Sequence, residues 1–156
     1  MPATWIVSAN ASRARFFGQA RAADPLDEVS DMVNEAARMR QRDLETDAPV
    51  GDRAASKSSH STAAPTTPST YEPRQGAKEH ETELFARQVA EYLVKAHHEG
   101  RFEELCLVAS PEFLGTLRKL VEPRLHSALR LSINRDYTHS TARELQQHLR
   151  EWRMKS

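Results

Sequence analysis

Few residues in this chain are spaced for chemistry. His80 and Glu81 begin like the helix of a zinc protease, where two histidines four residues apart share one face and hold the metal. Position 84 is Leu, so the second ligand is missing and the pair reads as a solvated helix start. His97 and His98 are adjacent and point about 100° apart on a helix, too divergent to chelate one ion. They read as surface residues near a helix C-terminus, where partial protonation suits the dipole. Cys106, the only cysteine, lies between Leu105 and Leu107 with no partner histidine marked by the sequence, which points to a buried structural thiol. No Gly-x-Ser-x-Gly elbow, phosphate-cradling loop or dinucleotide fingerprint occurs, and there are only five glycines to build one. No metal and no cofactor is expected, and a binding protein is favoured over an enzyme.

The arginines are more informative. Arg13 and Arg15 alternate and should share one face of a strand. Arg38, Arg40 and Arg42 follow, then Lys57 and Arg74, then Arg118 and Lys119 at the head of a basic C-terminal third. Residues 111–156 hold nine basic and five acidic residues, a net of +4; residues 77–110 hold four and seven, a net of −3; residues 1–76 hold nine and ten. The overall net charge of zero speaks against a globally basic nucleic-acid binder, yet a segregated basic face can still take phosphates through bidentate guanidinium forks. The competing reading is an ordinary solvated helical surface.

The elements that must carry these groups follow from periodicity. Thr4–Ala9 and Arg13–Gly18, joined by the Asn10-Ala11-Ser12 turn, predict a β-hairpin; Leu26–Val33 predicts a third strand, and Glu35–Leu44 a short helix. Between Gly51 and Thr70 there is no large apolar residue, so that stretch cannot offset an ordering entropy of about 1–2 kcal/mol per residue; a flexible Ser/Thr/Ala/Pro-rich loop is expected at about 46–76. Ala77–Glu99 predicts an amphipathic helix stopped by Gly100. Glu104–Ala109 predicts a buried strand, and Ser110-Pro111 an N-cap with proline at the first helical position. The helix that follows runs past Leu114, Leu117, Leu120 and Val121, with one more short turn at Pro123–Leu129. Leu131–Tyr137 predicts a strand placing Leu131, Ile133 and Arg135 on one side. Ser140 or Thr141 caps a last helix, Thr141 and Glu144 having capping-box spacing, with Leu145, Leu149 and Trp152 on one face. Asp47 and Asp136 read as caps or turns, and Trp5, Phe16 and Phe17 as core rather than stacking platforms. The sum over residues 1–156 is a single α/β domain: one mixed sheet of about five strands flanked by helices. The 38% hydrophobic content is low because of the loop. The longest apolar run, Leu105–Ala109, is far short of the ~20 residues of a membrane span. With no secretory signal and one cysteine, a cytoplasmic protein is expected.

Several blocks together carry a resemblance. TWIVSANASRARFF, RQRDLETDAP, KEHETELFARQVAEYL, and ELCLVASPEFLGTLRKLV followed by INRDY resemble the bacterial host-attachment protein family, over Trp5 to about Leu149. That family in turn looks like the middle domain of archaeo-eukaryotic peptide-chain release factors. The hairpin start, the helix with Phe85-Ala86-Arg87, and the turn Val108-Ala109-Ser110-Pro111-Glu112-Phe113 correspond. In release factors the loop before that helix carries Gly-Gly-Gln; here the equivalent stretch is Glu72-Pro73-Arg74-Gln75-Gly76, with no Gly-Gly before the Gln. The resemblance therefore implies the fold and a ribosomal or tRNA partner, but not peptide release, since Pro73 and Arg74 cannot supply glycine's backbone freedom.

Three functions are thus expected in descending order. The first is a non-enzymatic factor engaging the ribosome or tRNA through the basic residues above and the 51–76 loop. The second is a cytosolic factor supporting host or surface attachment or stress adaptation through a protein partner that docks on the 51–76 loop, with no RNA contact. The third is a weak peptidyl-tRNA esterase, with Gln75 positioning a water.

Overall fold

A computed structural model describes residues 3–40, 42 and 67–155, with side chains described from residue 76 onward in the last segment. The N-terminal hairpin forms as expected. Strand β1 (Thr4–Ala9) pairs antiparallel with β2 (Arg13–Gln19), and β2 with β3 (Asp27–Val33). Asn10 makes the turn tight: its N–H donates to the Arg13 carbonyl at 2.8 Å, and its Oδ1 accepts the N–H groups of Ser12 and Arg13, as an Asx turn does. Helix α1 follows at residues 35–40 and includes residue 42; the rest of the expected 35–44 helix lies outside the described residues.

Helix α2 (Thr67–His98) begins ten residues before the expected start. Residues 67–76, assigned by composition to the loop, are therefore helical, while 46–66 lie outside the described residues. Two causes favour the extension. Pro68 falls in the first turn, where its missing N–H costs no hydrogen bond. A helix already nucleated by packing then adds one bond per residue fixed, except at Pro73, which has no N–H to give. The packing is supplied by Phe85, Ala86, Val89, Ala90, Leu93 and Ala96, all buried. Gly100, at φ +77°, closes the helix: its N–H donates to His97 O and that of Arg101 to Ala96 O, the paired bonds of a Schellman motif.

Strand β4 (Glu104–Ala109) pairs parallel with β1, and β5 (Leu129–Ile133) pairs parallel with β4. The five-stranded mixed sheet has the order β3-β2-β1-β4-β5. Its central strands β1 and β4 are buried on both faces, which is why they read as continuous apolar runs. Helix α3 (Pro111–Leu125) joins β4 to β5, and α4 (Ala142–Lys155) closes the chain. Trp5, Val7, Ala9, Ala14 and Phe16 pack with α2 and α3 on one face, while Ile6, Phe17, Cys106, Val108 and Ile133 pack with Leu145 and Leu149 of α4 on the other. Adjacent Phe16 and Phe17 thus anchor opposite cores. Trp5 stacks on Phe102 at 5.0 Å, so the aromatics are core, as expected.

Three local expectations are corrected. The strand expected at Leu131–Tyr137 lies two residues earlier and ends at Ile133, because β4 offers partners only as far as Val108 and the register shifts between Leu105 and Cys106; Arg135 is outside the strand. Pro123 does not end α3, since Val121 and Leu125 remain buried on either side of it, and that burial outweighs the bond forfeited to the Lys119 carbonyl. Ser110 occupies the N-cap position but makes no side-chain cap bond. By contrast Thr141 and Glu144 form the predicted capping box, with N–H to carboxylate at 2.8 Å and N–H to hydroxyl at 3.1 Å. Among the described residues no helix is long and apolar enough to cross a membrane.

Candidate functional site

In an open α/β sheet, ligands meet the carboxyl ends of the strands where connections diverge. Here the chain leaves β1 towards β2 and leaves β4 towards β5, so the divergence lies between β1 and β4. The Ser110 N–H donates to Ala9 O at 3.2 Å and ties the two ends together. A cleft of about 460 Å³ opens there beside Ala11, Ser110 and Thr116; its lining carries one cation, Lys78, and two carboxylates, Glu79 and Glu112.

The polar side chains on the opposite face of this end bond one another. Asn10 Nδ2 donates to Asp136 Oδ2 at 2.9 Å and to Thr138 Oγ1 at 3.1 Å; Thr138 donates its hydroxyl (2.7 Å) and its N–H (3.0 Å) to Asp136 Oδ1. With Oδ1 already taken by the turn, all four hydrogen-bonding positions of Asn10 are filled. Burial pushes the Asp136 carboxyl up, but the bonds from Asn10 and Thr138, with the nearby His139, outweigh it and hold the group below its usual range. Arg15 completes the tether. It forks onto Glu28 at 3.0 and 2.8 Å, donates Nη1 to the carbonyls of Thr138 (3.0 Å) and Ser140 (2.6 Å), and lies 5.0 Å from the Phe17 ring. The turn expected of Asp136 is present, its Oδ1 accepting the Thr138 N–H two residues on as an Asx turn does, and its bond from Asn10 also makes it part of a long-range clamp that holds the segment after β5 onto β1 and β2.

Among the described residues, the basic residues proposed from sequence do not converge. Arg13 and Arg15 share a face, as predicted, and it is the α4 face. Arg13 forks onto Asp31 at 3.0 and 2.8 Å, and that hydrogen bond, against the opposing effect of burial, raises its already high pKa. Arg38 lies 3.8 Å from Glu35, and Arg40 pairs with Glu81, so the expected solvated start at His80-Glu81 holds an ion pair. Arg42 is exposed and makes no ion pair among the described residues. Lys57 lies outside the described residues. The backbones of Arg74 and Gln75 are in α2, and their side chains are outside the described set.

Arg118 and Lys119 lie on α3, across the sheet from Arg13 and Arg15. Arg118 bonds Glu122 at 3.0 Å; Lys119 is exposed, with no ion pair among the described residues. Sequence reasoning did not single out Arg118 with His126 and Arg130, which line an open groove of about 310 Å³ along the β5 edge with Glu122, Leu129, Leu131 and Ser132. Arg130 donates to Ser127 O at 2.7 Å and reaches Glu104 at 3.4 Å. Arg124, six residues further along α3 than Arg118, bonds Glu91 of α2 at 2.5 Å. The signal for this grouping was the +4 balance of the C-terminal third; its geometry depends on β5 returning alongside α3.

Cys106 is buried and free. Burial raises its thiol pKa, only partly countered by Arg153, and the side chain packs within the α4-side core. No group of three or more His, Cys, Asp or Glu among the described residues could hold a metal ion.

Among solved structures, the chain is similar to the type II variant of the Ppx/GppA phosphatase from Aquifex aeolicus, at 12% identity and a TM-score of 0.39, over 85% of this chain and 36% of that one. The chain thus spans about a third of that protein. No curated protein matches the chain. The family model described as "Protein required for attachment to host cells" matches residues 5–149, from β1 through Leu149 of α4. The chain belongs to this host-attachment family.

Proposed function

We propose that this host-attachment family protein is a non-enzymatic binding factor that engages ribosomal RNA or tRNA through the cationic surface between α3 and the β5 edge. The observation that carries the reading is the grouping of Arg118, His126 and Arg130 around one open groove, with Lys119 next to Arg118. The carboxylates that neutralise these arginines, Glu122 and Glu104, belong to pairs whose side chains are all at least a third exposed. Each is a single contact through Nε and such pairs are worth about 0–1 kcal/mol, so a phosphate that accepts a bidentate guanidinium fork replaces them at little cost. Arg13 and Arg15 act in this reading as structural tethers. In this reading Arg74 and Lys57 add contacts from the 51–76 segment, and the resemblance of the sequence blocks to a release-factor middle domain supports a ribosomal or tRNA partner.

The test is co-sedimentation with ribosomes, and binding to tRNA, at about 50 and 200 mM salt. Association is expected at the lower concentration and should fall steeply at the higher. Replacing Arg118, Lys119 and Arg130 together by Gln should flatten the dependence of log affinity on log salt by about two, at roughly 0.7 per contact to a single strand. No association with either partner at about 50 mM salt refutes the proposal; recovery of one stoichiometric protein partner without RNA then favours a protein-docking role.

A further inference from the structure

A second groove, of about 690 Å³, runs between α4 and the turn joining β2 to β3. Its floor is aliphatic, formed by Ala23, Pro25, the buried Leu26 and Ala142, and its wall is the stripe of α4 carrying Arg143, Gln147 and Arg150. The two sides are fastened together. Gln146 Nε2 donates to Asp24 O at 2.7 Å, and Gln19 Nε2 donates to Ala22 O and Asp24 O at 3.1 and 2.8 Å. The groove is therefore built before any partner arrives, which lowers the ordering cost of binding.

Its charge is one-sided. Arg143 and Arg150 are exposed, and neither has an ion-pair partner among the described residues. The one carboxylate lining the groove, Glu144, is turned back to accept the Thr141 N–H at 2.8 Å, a bond that also lowers its pKa. An aliphatic floor under two uncommitted guanidinium groups suits a ligand with apolar and acidic side chains. It suits a nucleic acid poorly, because no aromatic ring lines the groove for a base to stack on.

Spacing narrows the ligand further. Residues 143 and 150 lie two turns apart on one helix face, about 10 Å along the axis. The backbone of α4 is bonded within the helix and offers no ladder for strand addition, so the backbone of a bound peptide must be satisfied by water or by side chains such as Gln147. A polyproline II segment meets that condition; it rises about 3.1 Å per residue with three residues per turn, so side chains three apart recur on one side about every 9 Å. We propose that this groove is a docking site for an acidic, proline-containing segment of a partner protein, with two carboxylates three residues apart meeting Arg143 and Arg150 and aliphatic side chains seated over Pro25 and Leu26. The site is distinct from the α3–β5 surface and does not depend on RNA binding there.

The experiment uses the intact protein and a fluorescent peptide of three Pro-Leu-Glu repeats, with a counterpart carrying Gln for Glu and a uridine decanucleotide as the nucleic-acid probe. Saturable binding is expected for the acidic peptide, about tenfold tighter than for the Gln peptide, with amide shifts confined to 23–26 and 142–150. Arg143→Gln with Arg150→Gln should remove the difference between the peptides, and Lys at both positions should restore most of it. Both sites are exposed, so far-UV circular dichroism should be unchanged in either variant. Equal affinity for the two peptides, absence of binding, shifts mapping elsewhere, or occupation of the groove by the decanucleotide instead of the acidic peptide each overturn the proposal.

Discussion

Replacing Asn10 by Ala tests the clamp between β1 and the segment after β5. The substitution removes two bonds to backbone N–H groups in the turn, one to the Thr138 hydroxyl and one to the Asp136 carboxylate. The turn bonds are partly exposed and worth about 0.5 kcal/mol each; the bond to Thr138, which is 1% exposed, about 1 kcal/mol; and the bond to the exposed carboxylate the low end of about 1.5–3 kcal/mol. Because these share one side chain they do not add fully, and a loss of about 3 kcal/mol is expected at pH 7. At this chain length that lowers the Tm by about 6–12 °C. The pH dependence has a definite sign. The Asp136 pKa is depressed in the folded protein, so its contribution is present above the unfolded carboxylate value near about 3.9 and is lost as pH falls through the folded value. Asn10→Ala removes part of that depression, so its cost should shrink on acidification, by up to about 1.5 kcal/mol, the charged bond's share, once Asp136 is protonated. Urea unfolding followed by fluorescence of the buried Trp5, at pH 7 and again near pH 2.5, gives both numbers. A cost below about 1 kcal/mol at pH 7, or an equal cost at both pH values, would refute the clamp.

Arg15→Met keeps the stem over Phe17 but strips the fork from Glu28 and leaves the Thr138 and Ser140 carbonyls unpaired; a loss of about 2–4 kcal/mol is expected, with amide exchange at 138–141 accelerating before the rest of the sheet. Gly100→Ala meets no neighbouring atom within 4 Å, so its cost is the strain of φ +77° alone, about 1–2 kcal/mol, measured by thermal melting. Native protein should resist thiol reagents at Cys106 under conditions where urea-unfolded chain reacts within seconds; rapid native labelling would show that the thiol is neither buried nor raised in pKa.

The parts of the fold legible in the sequence are those decided within a few residues. Thr4–Ala9, Glu104–Ala109 and the capping box at Thr141 and Glu144 have the predicted bounds because strand alternation and cap chemistry act over two to four residues. The start of α2 was not legible. Residues 67–76 carry no large apolar side chain except Tyr71, and their helicity is propagated from the packed face at Phe85 and beyond. The β5 strand was misplaced for a related reason: LSINRDY alternates well, but alternation says nothing about where β4 stops offering partners.

The candidate sites divide the same way. Residue types and charge balance alone marked the arginines, the absence of a metal-ligand pair on the 80s helix, and a thiol set among apolar neighbours. Only the tertiary structure decided which cations are committed, because the acids that hold Arg13 and Arg15 come from β3 and the carbonyls that hold Arg15 lie more than 120 positions away. Asn10 and Asp136 are 126 positions apart and meet because the order β3-β2-β1-β4-β5 aligns the carboxyl ends of β1 and β5. Local propensity operates through the backbone of neighbouring residues. Ion pairs and grooves operate through space, and in this protein the sheet order sets those distances.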